Sequence, residues 1–203
     1  MSLFDLGFRK GSIVECIITT YNKDGSPNAA PMGVYALSEK EVIMKIHVES
    51  DTCSNLLRNK CCVINLIFDP YLFLKTALIG RAKGCKEPEI GKNEIKKANV
   101  NAPFLKDAHA FIEAKLKEHR EYVKKDEYKK SRFCTARCEV SRAVVNKRYP
   151  VAVNRGLFAA VELAIALSRE RKEDLQRYTR IMRKSLSSED YRKIKKLLVA
   201  LRI

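Results

Sequence analysis

Much of what would announce a familiar chemistry is missing from this 203-residue chain. No apolar run approaches the ~20 residues that a membrane-spanning helix needs; the best stretch, Val151 to Leu167, is broken by Asn154, Arg155 and Glu162. Met1 to Arg9 has neither the charged start nor the long apolar centre of a signal peptide, so a cytoplasmic protein is expected. No GxGxxG segment follows a strand, which argues against a built-in dinucleotide fold. The three histidines, His47, His109 and His119, do not cluster, and no Ser/His/Asp arrangement stands out. Internal repeats and low-complexity segments are also lacking.

Cysteine is present, seven times, but not in a metal-binding pattern. Cys61 and Cys62 are adjacent on an expected strand and point to opposite faces. Cys134 and Cys138 have no second pair to complete four ligands, and Cys16, Cys53 and Cys85 are isolated. Reduced, buried thiols acting as small apolar side chains are expected.

The net charge of +16 is unevenly distributed: residues 1–80 carry 8 Lys and Arg against 8 Asp and Glu, and residues 81–203 carry 32 against 16. Such an excess attracts nucleic acid, anionic lipid or phosphorylated small molecules. A solvated helical surface explains it as well. The solvated surface is the preferred reading, because aromatics do not interleave with the basic residues as a base-stacking platform requires.

Hydrophobic residues make up 46% of the chain, enough for a core. Ile13 to Tyr21 reads as a strand, Asp24-Gly25 as a tight turn, Asn28 to Leu37 as the return strand, and Val42 to Val48 as the third strand of a meander. Thr52 to Asn59 reads as a short helix and Cys61 to Ile67 as a buried strand ended by Asp69-Pro70. Tyr71 to Ile79 fits helix or strand, and Gly80 to Gly91 a strand and loop. Apolar residues from Phe104 to Tyr122 with charges between them predict an amphipathic helix over Phe104 to Tyr128, carrying His109 and His119. Phe133 to Val145 reads as a long strand. After Pro150 three helices are expected: Asn154 through Arg169, Glu173 to Lys184, and one started by Ser187 with Asp190. The expected architecture is a mainly β, α+β chain, with an antiparallel barrel over residues 1–150 and a helical subdomain over 151–203.

Two segments carry the chemistry. Ala29-Ala30-Pro31-Met32-Gly33 is a strand with small side chains, against which a planar molecule can lie close to the backbone. Ser50, Thr52 and Ser54 place hydroxyls at a helix start, where unpaired N–H groups and the dipole favour an anion; Asp51 opposes phosphate unless it turns away. Either segment alone is more often structural. Cys53 lies in the same turn, where a helix start lowers a thiol pKa, but packing is its preferred role.

The residues Glu15 to Thr20, Asp24-Gly25, Asn28 to Gly33, Ser50 to Asn55, Asn65, Asp69 to Phe73 and Asn154-Arg155 with Glu162 and Arg169 resemble a largely archaeal family of unknown function. That family lies within the FMN-binding split-barrel superfamily, related to flavin reductases and flavoredoxins. The resemblance implies a Greek-key-like split barrel and a homodimer with FMN near the subunit interface. It implies the ring against Asn28, Ala30, Pro31, Met32 and Gly33, the phosphate near Ser50, Asp51, Thr52 and Asn55, and contributions from Asn65 and Arg155. Flavin reductases often carry Lys where this chain has Ser50, so the phosphate's cation must come from Lys45, His47, Arg58 or Arg155 of either subunit. Asn154, Arg155, Glu162 and Arg169 brace a helix or line a substrate pocket, with bracing preferred. An oxidoreductase using NAD(P)H or another small electron partner is the implied function. A flavin carrier or sensor and a basic nucleic-acid-binding protein are the alternatives.

Overall fold

The computed structural model describes residues 1–11, 13–79, 88–125, 130–147, 154–169, 171, 174–201 and 203. The chain divides into two compact units: Met1–Ile67 with Ile90–Arg148, and Phe68–Glu89 with Tyr149–Ile203.

The first unit is a six-stranded antiparallel barrel. Its strands are β1 (Ile13–Tyr21), β2 (Pro27–Ala36), β3 (Glu41–His47), β4 (Cys61–Leu66), β7 (Ala110–Lys125) and β8 (Lys130–Val145), and it closes in the order β1-β2-β3-β8-β7-β4. The predicted meander is present. Its first turn closes as Asp24-Gly25 suggests: Gly25 adopts φ of 81°, and the Asn22 amide donates to the Ser26 carbonyl at 2.9 Å. Even-numbered residues of β1 to β4 point inward, so Cys16, Ile18, Val34, Met44, Ile46, Cys62 and Ile64 share one core with Ile112, Ala136 and Cys138. Helix α1 (Asp51–Asn59) adds Cys53 and Leu56 to that core.

Over its described residues, as far as Lys125, the expected helix of Phe104 to Tyr128 is replaced by strands and a turn; residues 126–128 lie outside the described residues. A short pair, β5 (Ile95–Lys97) and β6 (Pro103–Leu105), precedes the 16-residue β7. Charges every few residues imitate a helical face there. Register shifts between Glu113 and Ala114 and between Leu116 and Glu118 break the alternation that would have revealed a strand. Pairing with β4 on one side and β8 on the other overrides the low β-propensity of its Ala, Lys and Glu. His119 consequently sits exposed on a strand, and His109 immediately precedes it.

The second unit contains α2 (Pro70–Leu78), α3 (Arg155–Ser168), α4 (Leu175–Ser185) and α5 (Ser188–Ala200). Asp69-Pro70 ends the strand and also starts a helix, the Asp69 carboxylate accepting from the Leu72 amide at 3.0 Å. This resolves Tyr71 to Ile79 as helix. Asn154 caps α3 through the Gly156 amide at 2.7 Å, and Ser187 caps α5 through that of Asp190 at 3.1 Å. Leu74, Ala160, Leu163, Met182 and Ile194 form this unit's own core. The predicted strand and loop over Gly80 to Gly91 falls largely on residues 80–87, outside the described residues, as does Cys85. No helix among the described residues is long and apolar enough to cross a membrane.

Candidate functional site

Strands β2 and β3 separate along part of their length. Strand β2 is laddered to β1 from Pro27 to Tyr35, with Tyr21↔Pro27 and Ile13↔Tyr35 as the end pairs, but to β3 only at Val34, Tyr35 and Ala36. Below Val34 the two strands part: β3 follows β8 down to His47↔Phe133, and the chain then turns into α1. The stretch Pro27 to Gly33 therefore runs beside the start of α1 with no β3 ladder. Every second residue of a strand aims its peptide groups to the side away from its partner. Here that side faces the opening. Ala30, Pro31, Met32 and Gly33 are all half-buried.

The other wall is the first turn of α1. Ser50 is its N-cap, accepting from the Cys53 amide at 3.2 Å and donating its hydroxyl proton to the His47 carbonyl at 2.7 Å. The Asp51 and Thr52 amides have no acceptor within the helix, which leaves the positive end of the dipole at this point. Asp51 itself is exposed.

The two walls are tied by side chains. Asn28 Nδ2 donates to Thr20 Oγ1 at 3.0 Å, directly across the ladder, and to Thr52 Oγ1 at 3.1 Å. Asn55 Nδ2 donates to the same Thr20 oxygen at 3.1 Å and to Asn22 Oδ1 at 2.7 Å, and Asn55 Oδ1 accepts from Arg58 Nη2 at 2.6 Å. Thr20, Asn28, Thr52 and Asn55 are between 0% and 4% exposed. Buried polar groups persist only when hydrogen-bonded, and these are.

The structure thus gathers Asn28, Ala30, Pro31, Met32, Gly33, Ser50, Asp51, Thr52 and Asn55 around one opening. Asn65 is engaged elsewhere: its Nδ2 donates to the Ile17 carbonyl at 2.9 Å and to Thr19 Oγ1 at 3.0 Å, while its Oδ1 accepts from the Leu105 amide at 2.9 Å. Arg155 belongs to the helical unit, where its Nε donates to Ser185 Oγ at 2.8 Å. Glu162 and Arg169 are exposed on that unit. Among the cations proposed for a phosphate, Arg58 donates to Asn55 and the Tyr21 carbonyl, and Lys45 lies 5.3 Å from the centre of the Tyr35 ring. The His47 ring lies against that of Phe133, tilted by 39° with ring centres 4.2 Å apart, at the turn that leads into α1.

Asn22 was not among the residues expected at the site, and Thr20 entered only as part of the Glu15 to Thr20 strand. The available signal was a polar, inward-facing Thr20 at the end of an otherwise apolar Ile17-Ile18 strand. Cys53 settles the other way from a reactive thiol. Burial, followed by the neighbouring Cys134, pushes its pKa up to about 12, outweighing the helix start.

Residues 14–147 match the N-terminal domain model of a family described as protein of unknown function (DUF447). The chain is 27% identical over 157 residues to the uncharacterised protein MJ1453 of Methanocaldococcus jannaschii, covering 77% of this chain and 74% of that one. Its fold is similar to the crystal structure of the FMN-bound protein MM1853 from Methanosarcina mazei, with a TM-score of 0.73, 23% identity and coverage of 98% and 99% of the two chains. A candidate flavin reductase with a split barrel domain from Shewanella frigidimarina matches with a TM-score of 0.52 and 18% identity over 68% and 69% of the chains.

Proposed function

The chain belongs to the DUF447 family, and from that premise we propose that it is an FMN-binding flavoprotein of the oxidoreductase type. One observation carries the reading: β2 loses its β3 ladder below Val34, where the first turn of α1 presents two amides without helical acceptors. An opening with a flat peptide wall on one side and an anion-favouring helix start on the other suits a planar ring that ends in a phosphate. The FMN bound by MM1853 supports the same assignment.

In this reading the isoalloxazine lies along Asn28 to Gly33, where Ala30 and Gly33 keep side-chain bulk away. The phosphate meets the Asp51 and Thr52 amides and the Thr52 hydroxyl. Ser50 shapes the turn as its cap, and His47 is the basic side chain that stands at the turn. When bound, the flavin supplies the electron-transfer chemistry, and the protein holds, orients and shields it. The active form is a homodimer with the ring near the subunit interface, and a reduced nicotinamide or another small electron donor visits as a substrate.

The test is the visible absorption spectrum of the purified protein, followed by FMN titration monitored by fluorescence. Bands near 370 and 450 nm, about where an oxidised flavin cofactor absorbs, are expected, with saturable binding. A colourless protein that ignores added FMN refutes the assignment.

A further inference from the structure

We infer that Asn28 is a positioning residue: it turns the Thr52 hydroxyl proton toward the phosphate and so makes the opening selective for phosphorylated flavin. The inference rests on the FMN reading above.

Arg58 has only donors, so the group it meets at 2.6 Å in Asn55 must be the oxygen, which fixes which way the Asn55 amide points. Its Nδ2 then faces Thr20 and Asn22. Thr20 Oγ1 receives one proton from Asn55 at 3.1 Å and a second from Asn28 at 3.0 Å, which uses both of its lone pairs. The remaining proton on Asn28 Nδ2 goes to Thr52 Oγ1 at 3.1 Å. That nitrogen accepts nothing, so the Thr52 proton cannot point back at Asn28. It points to the other side of the oxygen, in the first turn of α1, where the proposed phosphate lies. A threonine held this way is a committed donor and suits an anion. Ser50 contrasts with it, because its proton is already given to the His47 carbonyl at 2.7 Å.

A double-mutant cycle on ligand preference tests this, using Asn28→Leu, Thr52→Val and the double variant. The readout is the ratio of the FMN and riboflavin dissociation constants, since riboflavin keeps the ring and lacks the phosphate. A charge-assisted hydrogen bond strengthens binding by about tenfold or more. Each single variant should therefore lose about tenfold of the preference for FMN, and the double variant about the same as either single. Equal weakening of both flavins by Asn28→Leu, or losses that add in the double variant, would overturn the role of Asn28 while leaving FMN binding standing. A wild-type protein that binds neither flavin would remove the underlying reading, and the inference with it. Should Asn28→Leu fail to fold, the side-chain amide resonances of Asn28 in the wild-type protein decide. FMN should shift them further than riboflavin does, because the ring is common to both ligands and only FMN brings the phosphate, whereas equal shifts with the two ligands refute the inference.

Discussion

Replacing Asn65 with leucine should destabilise the barrel without touching flavin preference. Asn65 is fully buried on β4, and the three shorter bonds of its amide reach the Ile17 carbonyl, Thr19 Oγ1 and the Leu105 amide, with a longer one to the Val63 carbonyl at 3.4 Å. Thr19 in turn donates to the Pro103 carbonyl at 2.5 Å, so the pair pins β6 against the outside of β1 and β4. Leucine conserves volume but strands the Leu105 N–H in a position that is 1% exposed. An orphaned buried donor costs about 2 kcal/mol, and losing the two shorter donated bonds adds about 1 kcal/mol, for a total of about 3 kcal/mol. In a chain of this length that corresponds to a fall in Tm of about 6–12 °C, measurable by circular dichroism. The FMN-to-riboflavin preference of the folded variant, by contrast, should match wild type. A loss below about 1 kcal/mol would mean that the bracket is not what holds β6. An intact Tm with a lost preference for FMN would make Asn65 a ligand.

Gly33→Val should weaken FMN and riboflavin together, by about tenfold or more if a well-packed ring contact is lost, because the ring and not the phosphate is displaced. A Cβ at Gly33 would sit 2.8 Å from Ile13 Cγ2, so the side chain must also push Ile13 aside. Unchanged titration curves would place the ring elsewhere. Cys53 should resist alkylation in the native protein. With a pKa near 12 its thiolate fraction at pH 7 is on the order of 10⁻⁵. The raised value means that reactivity grows only as pH climbs towards it. Mass spectrometry after iodoacetamide should find Cys53 modified only once the chain is denatured, and rapid native labelling would contradict its burial.

Local chemistry was legible in the sequence. The Asp24-Gly25 turn, the caps at Asn154 and Ser187, and the three strands of the meander follow from residues that lie within a few positions of one another, and so do the small side chains of Ala29 to Gly33 and the hydroxyl-bearing helix start; that Ser50 and not Asp51 caps that helix came from the structure. Their conformations depend on nearest-neighbour sterics and hydrogen bonds, which a sequence displays directly. Strand β7 was not legible, because its state is decided by β4 and β8, partners far along the chain, and because its bulges scramble the period that would have marked it. The same limit applies to the site. Two motifs could be read as walls, but only the tertiary structure shows that β2 and β3 part below Val34, that Asn65 turns away to hold β6, and that Asn28 reaches 24 residues along the chain to Thr52. Those outcomes depend on which buried polar group finds which partner, and the closing of the barrel settles that choice.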